Sequence, residues 1–257
     1  MHGETRELLQ HLRGSALRAG HRLVARTDEL LEVRLALHAR VLVDRHGLSL
    51  PLPIGEAVTS PPVQPWTPPT LEGRIVRLEP LATEHEDDLW LASRDPRTWR
   101  WLSVVQPQTR DEWRAFVAQA TAAAAAGSEI PLVTRRGGEI VGSTRFLALR
   151  PEHHSVEIGW TWLHPSVWNT GVNVEAKFLQ MRHAFDVWGC RRVEWKTDAQ
   201  NERSCRALEA LGATFEGVHR KHMLVRDGEN RDSAWYSVTD EEWPAVRAHL
   251  ESRLAQK

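Results

Sequence analysis

The segment from Glu157 to Phe185, EIGWTWLHPSVWNTGVNVEAKFLQMRHAF, changes its side-chain period midway, and few folds accommodate that change. Val156, Ile158, Trp160 and Trp162 alternate with Glu157, Gly159 and Thr161, as the two faces of one strand do. His164-Pro165 stops the strand, and a short loop with a single glycine, Gly171, follows. Val174, Phe178, Met181, Phe185 and Trp188 then recur at spacings of three and four, one face of a helix. A strand that runs through a loop into a helix start leaves several backbone N–H groups without intrahelical partners and gathers partial positive charge there. Such a place holds phosphate.

The rest of the chain supplies a mixed sheet around this unit. Residues 1–49 read as two helices, about Thr5–Ala19 and Thr27–Arg45, the second with a Thr27-Asp28 start and Gly47 beyond its end. This hairpin is expected to dock on the main domain or on a second subunit in a homodimer. Pro51, Pro53, Pro61, Pro62, Pro65, Pro68 and Pro69 make residues 50–69 a semi-rigid linker. Residues 70–257 form the main domain. Its strands fall at Arg74–Glu79, Ile130–Thr134, Ile140–Leu149, Ser155–Leu163, Arg191–Thr197, His219–Val225 and Asp232–Val238. Its helices fall at Thr83–Ser93, Thr109–Ala126, Val172–Trp188 and Asn201–Leu211, with a last one starting at Thr239 or Asp240. Gly137-Gly138 and Arg226-Asp227-Gly228 read as tight turns.

Composition excludes several classes. A net charge of −1 gives no pull toward nucleic acid or an anionic membrane. No apolar run is long enough to span a bilayer, and the first residues lack the apolar core of a signal peptide. Cys190 and Cys205 make no disulfide framework, so a cytoplasmic location is expected. His153, His154 and His164 lack a carboxylate cluster at ligand spacing, and no metal site is expected.

In order and spacing the elements resemble the GNAT superfamily of acyl-CoA-dependent N-acetyltransferases, in particular the RimJ/RimL-type branch that acts on ribosomal-protein N-termini. The likeness spans about residues 71–250 and is carried by GRIVRLEPL (73–81), IVGSTRF (140–146), VEIGWTWLHP (156–165), WNTGVNVEAKFLQMRHAF (168–185), NERSCRALEALGA (201–213), FEGVHRKHM (215–223) and RDSAWYSVTDEEW (231–243). The family's loop usually reads Gln or Arg, two residues, Gly, one residue, then Gly or Ala. Trp168, Gly171 and Asn173 occupy those positions here. The resemblance implies an α/β (α+β) fold with a mixed, mostly antiparallel central sheet flanked by helices, residues 1–49 being an N-terminal helical extension. It also implies acetyl-CoA as co-substrate, with direct attack by a primary amine on a small molecule or a protein N-terminus.

On that reading Trp160, Thr161, Trp162, Trp168, Asn169, Thr170, Gly171, Val172 and Asn173 contact the cofactor. A backbone N–H between Trp160 and Trp162 faces the thioester oxygen. Many relatives reprotonate the thiolate with a tyrosine in the helix after RRVEWKT, but Asn201-Glu202-Arg203-Ser204 stands there and the single tyrosine is Tyr236. In the resembled branch an Asn-x-x-Ser pair supplies an amide to the cofactor and a hydroxyl near the sulfur, roles that fall to Asn201 and Ser204. Asn201 is equally placed to cap the helix. Two residues compete as proton acceptor. Glu157 lies where relatives often carry a carboxylate, although an ion pair with Arg145 would also explain it. His222 lies where the ribosomal-protein enzymes carry a glutamate, and an imidazole of ordinary pKa suits the task. A water relayed through either is a third route. Two other functions share the fold: an aminoglycoside-type antibiotic acetyltransferase, with Glu84, Glu86, Asp87 and Asp88 lining an acidic cleft, and a non-catalytic acyl-CoA sensor.

Overall fold

A computed structural model describes residues 66–226 and 228–256. The two N-terminal helices, most of the linker and Asp227 lie outside the described residues. Eight strands form one sheet: β1 (Leu71–Glu72), β2 (Arg77–Pro80), β3 (Ile130–Arg136), β4 (Glu139–Arg150), β5 (Ser155–Leu163), β6 (Arg192–Asp198), β7 (Thr214–Val225) and β8 (Glu229–Thr239). Their order is β1-β2-β3-β4-β5-β6-β8-β7, with every neighbouring pair antiparallel except β5 and β6. Five helices pack on it: α1 (Glu86–Ala92), α2 (Arg110–Ala125), α3 (Val172–Asp186), α4 (Glu202–Glu209) and α5 (Trp243–Ala255). This is the expected fold, and most element types match the sequence reading. No helix among the described residues is long and apolar enough to cross a membrane.

Two apolar layers sandwich the sheet. On one side Leu132, Phe146, Val156 and Ile158 meet Leu179 and Met181 of α3 and Leu250 of α5. On the other, Val133, Ile140 and Trp162 meet Leu89, Trp99, Trp113 and Val117. Leu132 and Val133 go to opposite layers because successive strand residues do. The same rule overturns one expectation. Trp162 does not share a face with Val156 and Ile158. In β5, three steps from Gly159 to Trp162 oppose two in β4, from Arg145 to Ser143, and Trp160 takes φ +50°. This β-bulge inserts one residue, so the strand beyond it presents the opposite face. Trp162 therefore stacks near Trp99, 6.3 Å between centroids, and Thr161 turns toward α3.

Helix α3 is buried more widely than its apolar spacing implies. Glu175, Lys177 and Gln180 are buried along with Phe178, Leu179 and Met181, while Trp188 lies past the helix end. α5 covers the helix's outer side through Phe178–Trp243 and Phe185–Trp243 ring contacts. Glu175 accepts hydrogen bonds from the N–H groups of Arg74 (3.0 Å), Ile75 (2.6 Å) and Val76 (2.7 Å), tying the β1–β2 turn to the helix. Glu175→Ala leaves those donors without an acceptor and is expected to cost roughly 3 kcal/mol in urea denaturation. A loss below about 1 kcal/mol would show that water replaces the carboxylate without penalty.

β1 lies outside the strands read from the sequence, β2 starts at Arg77 and not at Arg74, and β7 starts at Thr214 and not at His219. Two further differences have a visible cause. α5 starts at Trp243, not at Thr239 or Asp240, because Pro244 suits the first helical turn and Glu242 instead accepts from the Thr239 N–H at 2.8 Å. Trp66, inside the stretch read as linker, stacks on Trp188 at 4.6 Å and packs against the larger core.

Candidate active site

Strands β5 and β6 are paired only from Ser155 to Glu157, opposite Arg192 to Glu194, and beyond that point they part. Helix α3 begins in the gap. Its cap residue Gly171 takes φ +94°, and no side chain caps it. A positive φ there favours glycine over any β-branched residue. The first intrahelical bond runs from the Glu175 N–H to the Gly171 carbonyl, 2.9 Å, which leaves the N–H groups of Val172, Asn173 and Val174 without helix partners. A cleft of about 700 Å³ fills the gap, lined by Glu157, Gly159, Trp160, Thr161, Trp162, Trp168, Asn169, Gly171, Asn173, Lys177, Asn201 and Ser204 among others. The bulge takes Trp160 and Thr161 out of the regular ladder register, and both residues line this cleft.

Glu157 sits at the last paired position before the strands diverge. It is buried, and Lys196 donates to its Oε2 at 2.5 Å. Arg145 is not its partner, since that guanidinium bonds Glu129 at 2.8 Å and lies over the Trp160 ring. Burial pushes the Glu157 carboxyl above the ordinary carboxylate range, against the opposing pull of Lys196. A carboxylate raised this way accepts a proton more readily than an exposed one.

Asn201 caps α4 by accepting from the Ser204 N–H at 3.2 Å, and both residues also line the cleft. Capping and facing the cleft thus coexist in one residue. Thr170 turns away, its hydroxyl donating to the Val167 carbonyl at 2.7 Å, and the Val172 side chain is fully buried, so these two offer the cleft backbone only. His222 is not among the cleft-lining residues. Its Nδ1 lies 2.9 Å from Ser233 Oγ, and its ring packs against Trp235 and His219. Burial, followed by the nearby Lys196, pushes its pKa down.

None of the six basic residues of the cleft has a role in the sequence reading, and three of them stand out. Lys177 is buried beneath the bulge, donating to Thr161 Oγ1 (2.5 Å) and Thr144 Oγ1 (3.1 Å), and burial lowers its pKa to about 7. Arg203 lies over Trp168, its Cζ 3.7 Å from the ring centroid. With Arg97 and Arg100 it borders a second hollow of about 390 Å³ beside the phosphate-type loop. Arg231 is the third. The cleft's charged lining is Glu157 against Lys177, Lys196, Arg203, Arg206, Arg231 and Arg253, a wall suited to anions. Among the described residues no group of three or more His, Cys, Asp or Glu could hold a metal. Glu86 and Asp87 pair with Arg114 and Arg110, and neither they nor Glu84 and Asp88 line the cleft.

The model of the acetyltransferase (GNAT) domain matches residues 76–214, over half of the chain, and the chain belongs to that family. Solved structures agree. A T. thermophilus protein assigned to the acetyltransferases is 44% identical, TM-score 0.66, over 74% of this chain and 99% of that one. A GCN5-related N-acetyltransferase from Brucella melitensis is 34% identical, TM-score 0.69, over 74% of this chain and 86% of that one. Mycobacterium smegmatis RimJ in complex with CoA-disulfide shares the fold at 22% identity and TM-score 0.64, over 72% of this chain and 95% of that one. No curated protein matches the chain. The activity that goes with the family is acetyl-CoA-dependent acetyl transfer.

Proposed function

We propose that the chain binds acetyl-CoA in the cleft between β5 and β6 and acetylates a primary amine by direct attack. One observation carries this reading: the open N-terminus of α3 and the buried Glu157 face a single cleft at the point where the strands part. The N–H groups of Val172, Asn173 and Val174 suit a pyrophosphate. Arg97, Arg100 and Arg203 border the hollow beside them and suit the remaining phosphate. Bound acetyl-CoA supplies an acetyl thioester. Glu157, directly or through a water, takes a proton from the acceptor ammonium, and the freed lone pair forms the new C–N bond as the C–S bond breaks. A backbone N–H at the bulge stabilises charge on the thioester oxygen, and Ser204, which lines the cleft, is placed to protonate the leaving thiolate, its own proton being replaced by the second proton the amine loses as the amide forms. The acceptor is a small-molecule amine or a protein N-terminus, as in the RimJ/RimL-type branch. A polycationic antibiotic fits less well, because one acid faces six bases in the cleft.

Thiol release from acetyl-CoA by the full chain, across amino acids, peptides, polyamines and aminoglycosides, tests the reading. Amine-dependent release is expected. Binding without consumption across the whole panel would make the chain a sensor. Gly171→Val places a branched side chain at φ +94° on the path of the pyrophosphate, and is expected to weaken acetyl-CoA binding in calorimetry by roughly a hundredfold. Unchanged affinity would remove the loop from the site.

A further inference from the structure

Arg231 stands at the start of β8, in register with Met223 of β7, and both residues line the cleft. It is 8% exposed, and its Nε is buried without a hydrogen-bond partner. Among the described residues, its guanidinium makes no ion pair or hydrogen bond. The acids around it are already engaged. Glu157 is held by Lys196 at 2.5 Å. Asp198 accepts from the Gln200 N–H at 2.9 Å and lies 3.8 Å from Arg226. Glu229 accepts from Arg226 at 3.0 and 3.1 Å. Burial pushes the Arg231 guanidinium below its ordinary range, with only partial relief from Asp198 and Glu157. A buried guanidinium with idle donors is costly, and an orphaned polar group of this kind calls for a partner.

We propose that Arg231 is the acceptor-recognition residue and that it binds a carboxylate carried by the amine substrate, so that the acceptor is a small amino acid or a close derivative. The inference rests on the acetyl-transfer reading above and narrows it. Position assigns Arg231 to the acceptor and not to coenzyme A. It stands on β8, beyond β6 from the strand that leads into the phosphate-type loop, and it is near enough to Glu157 to feel its charge. The wall around it is built by the β7–β8 hairpin and the Leu102–Ser103 segment. Arg226 fastens the two, its N–H donating to the Ser103 carbonyl at 3.0 Å and its Nη1 to the Leu102 carbonyl at 2.8 Å. Charge selects carboxylate over phosphate. One uncompensated guanidinium with a planar fork matches a monoanionic carboxylate, whereas a phosphate monoester brings close to two charges at neutral pH. The amine of an amino acid held this way is delivered beside Glu157.

The test compares amino acids, their carboxamides and the matching alkylamines as acceptors for the full chain, by thiol release from acetyl-CoA. The acids are expected to exceed the amides by roughly a hundredfold in kcat/KM. Arg231→Gln is expected to erase that preference through KM, with acetyl-CoA affinity in calorimetry unchanged. Arg231→Lys, which keeps the charge without the fork, should fall between them. Amides or peptides acetylated as well as free amino acids would overturn the proposal while leaving the transferase standing, as would a preference that survives Arg231→Gln. Acetyl-CoA bound but not consumed with any amine would instead bring down the transferase reading, and this inference with it.

Discussion

Glu157→Gln is expected to lower kcat by roughly a hundredfold to ten-thousandfold, the usual contribution of a positioned base, with acetyl-CoA affinity nearly unchanged. The amide keeps the shape and still accepts from Lys196, but it cannot take a proton. The pH profile gives a second readout. A base works only when ionised, so wild-type kcat/KM should fall as pH drops through the raised Glu157 pKa, and the variant should lose that limb. His222 provides the comparison. Its ring is outside the cleft lining and its pKa is pushed down, so His222→Gln should change kcat far less. If His222→Gln produced the large loss and Glu157→Gln did not, the base would be the histidine.

Much of this site is readable in the sequence because it is local. The strand–loop–helix around Gly171 is contiguous, and the role proposed for it depends on backbone groups whose direction follows from the element types. Asn201 and Ser204 are readable for the same reason, since a helix start fixes where both point. Trp162 defeats simple alternation because one inserted residue reverses every later side chain in the strand. Gly159 is the available sign, as a glycine inside a strand often marks a bulge. Pro244 similarly marks the start of α5. The partners of Glu175 and Lys196, and the unpartnered guanidinium of Arg231, have no such sign. The backbone donors held by Glu175 lie about a hundred residues earlier in the chain, and Lys196 reaches back 39 positions to Glu157. Such pairings follow from sheet order and from the parting of β5 and β6, which no local pattern encodes.

Lys177→Met is expected to make the protein more stable and less active. The lysine is buried, and its pKa falls from 10.5 to about 7. Between those two values the unfolded chain holds a proton that the folded chain has lost. Stability should therefore rise with pH across that window, by about 1.4 kcal/mol per pH unit at most. Below about pH 7 the penalty for burying the ammonium is fully present; at pH 7 it is on the order of 4 kcal/mol. Methionine removes that penalty but leaves Thr144 and Thr161 without the amine, at about 1 kcal/mol each. Urea denaturation should show the variant ahead by roughly 2 kcal/mol near pH 7, with its lead vanishing at about pH 9 and reversing above it. A variant less stable than wild type at every pH would mean that Lys177 is held more favourably than its burial implies. The cost of keeping a lysine here has a local reason. Its ammonium or amine grips Thr161, the residue after Trp160, and so holds the bulge whose backbone N–H is proposed as the oxyanion donor. Loosening that grip should lower kcat at least tenfold while acetyl-CoA binding at the α3 N-terminus holds, because a misaimed donor is felt chiefly as charge develops.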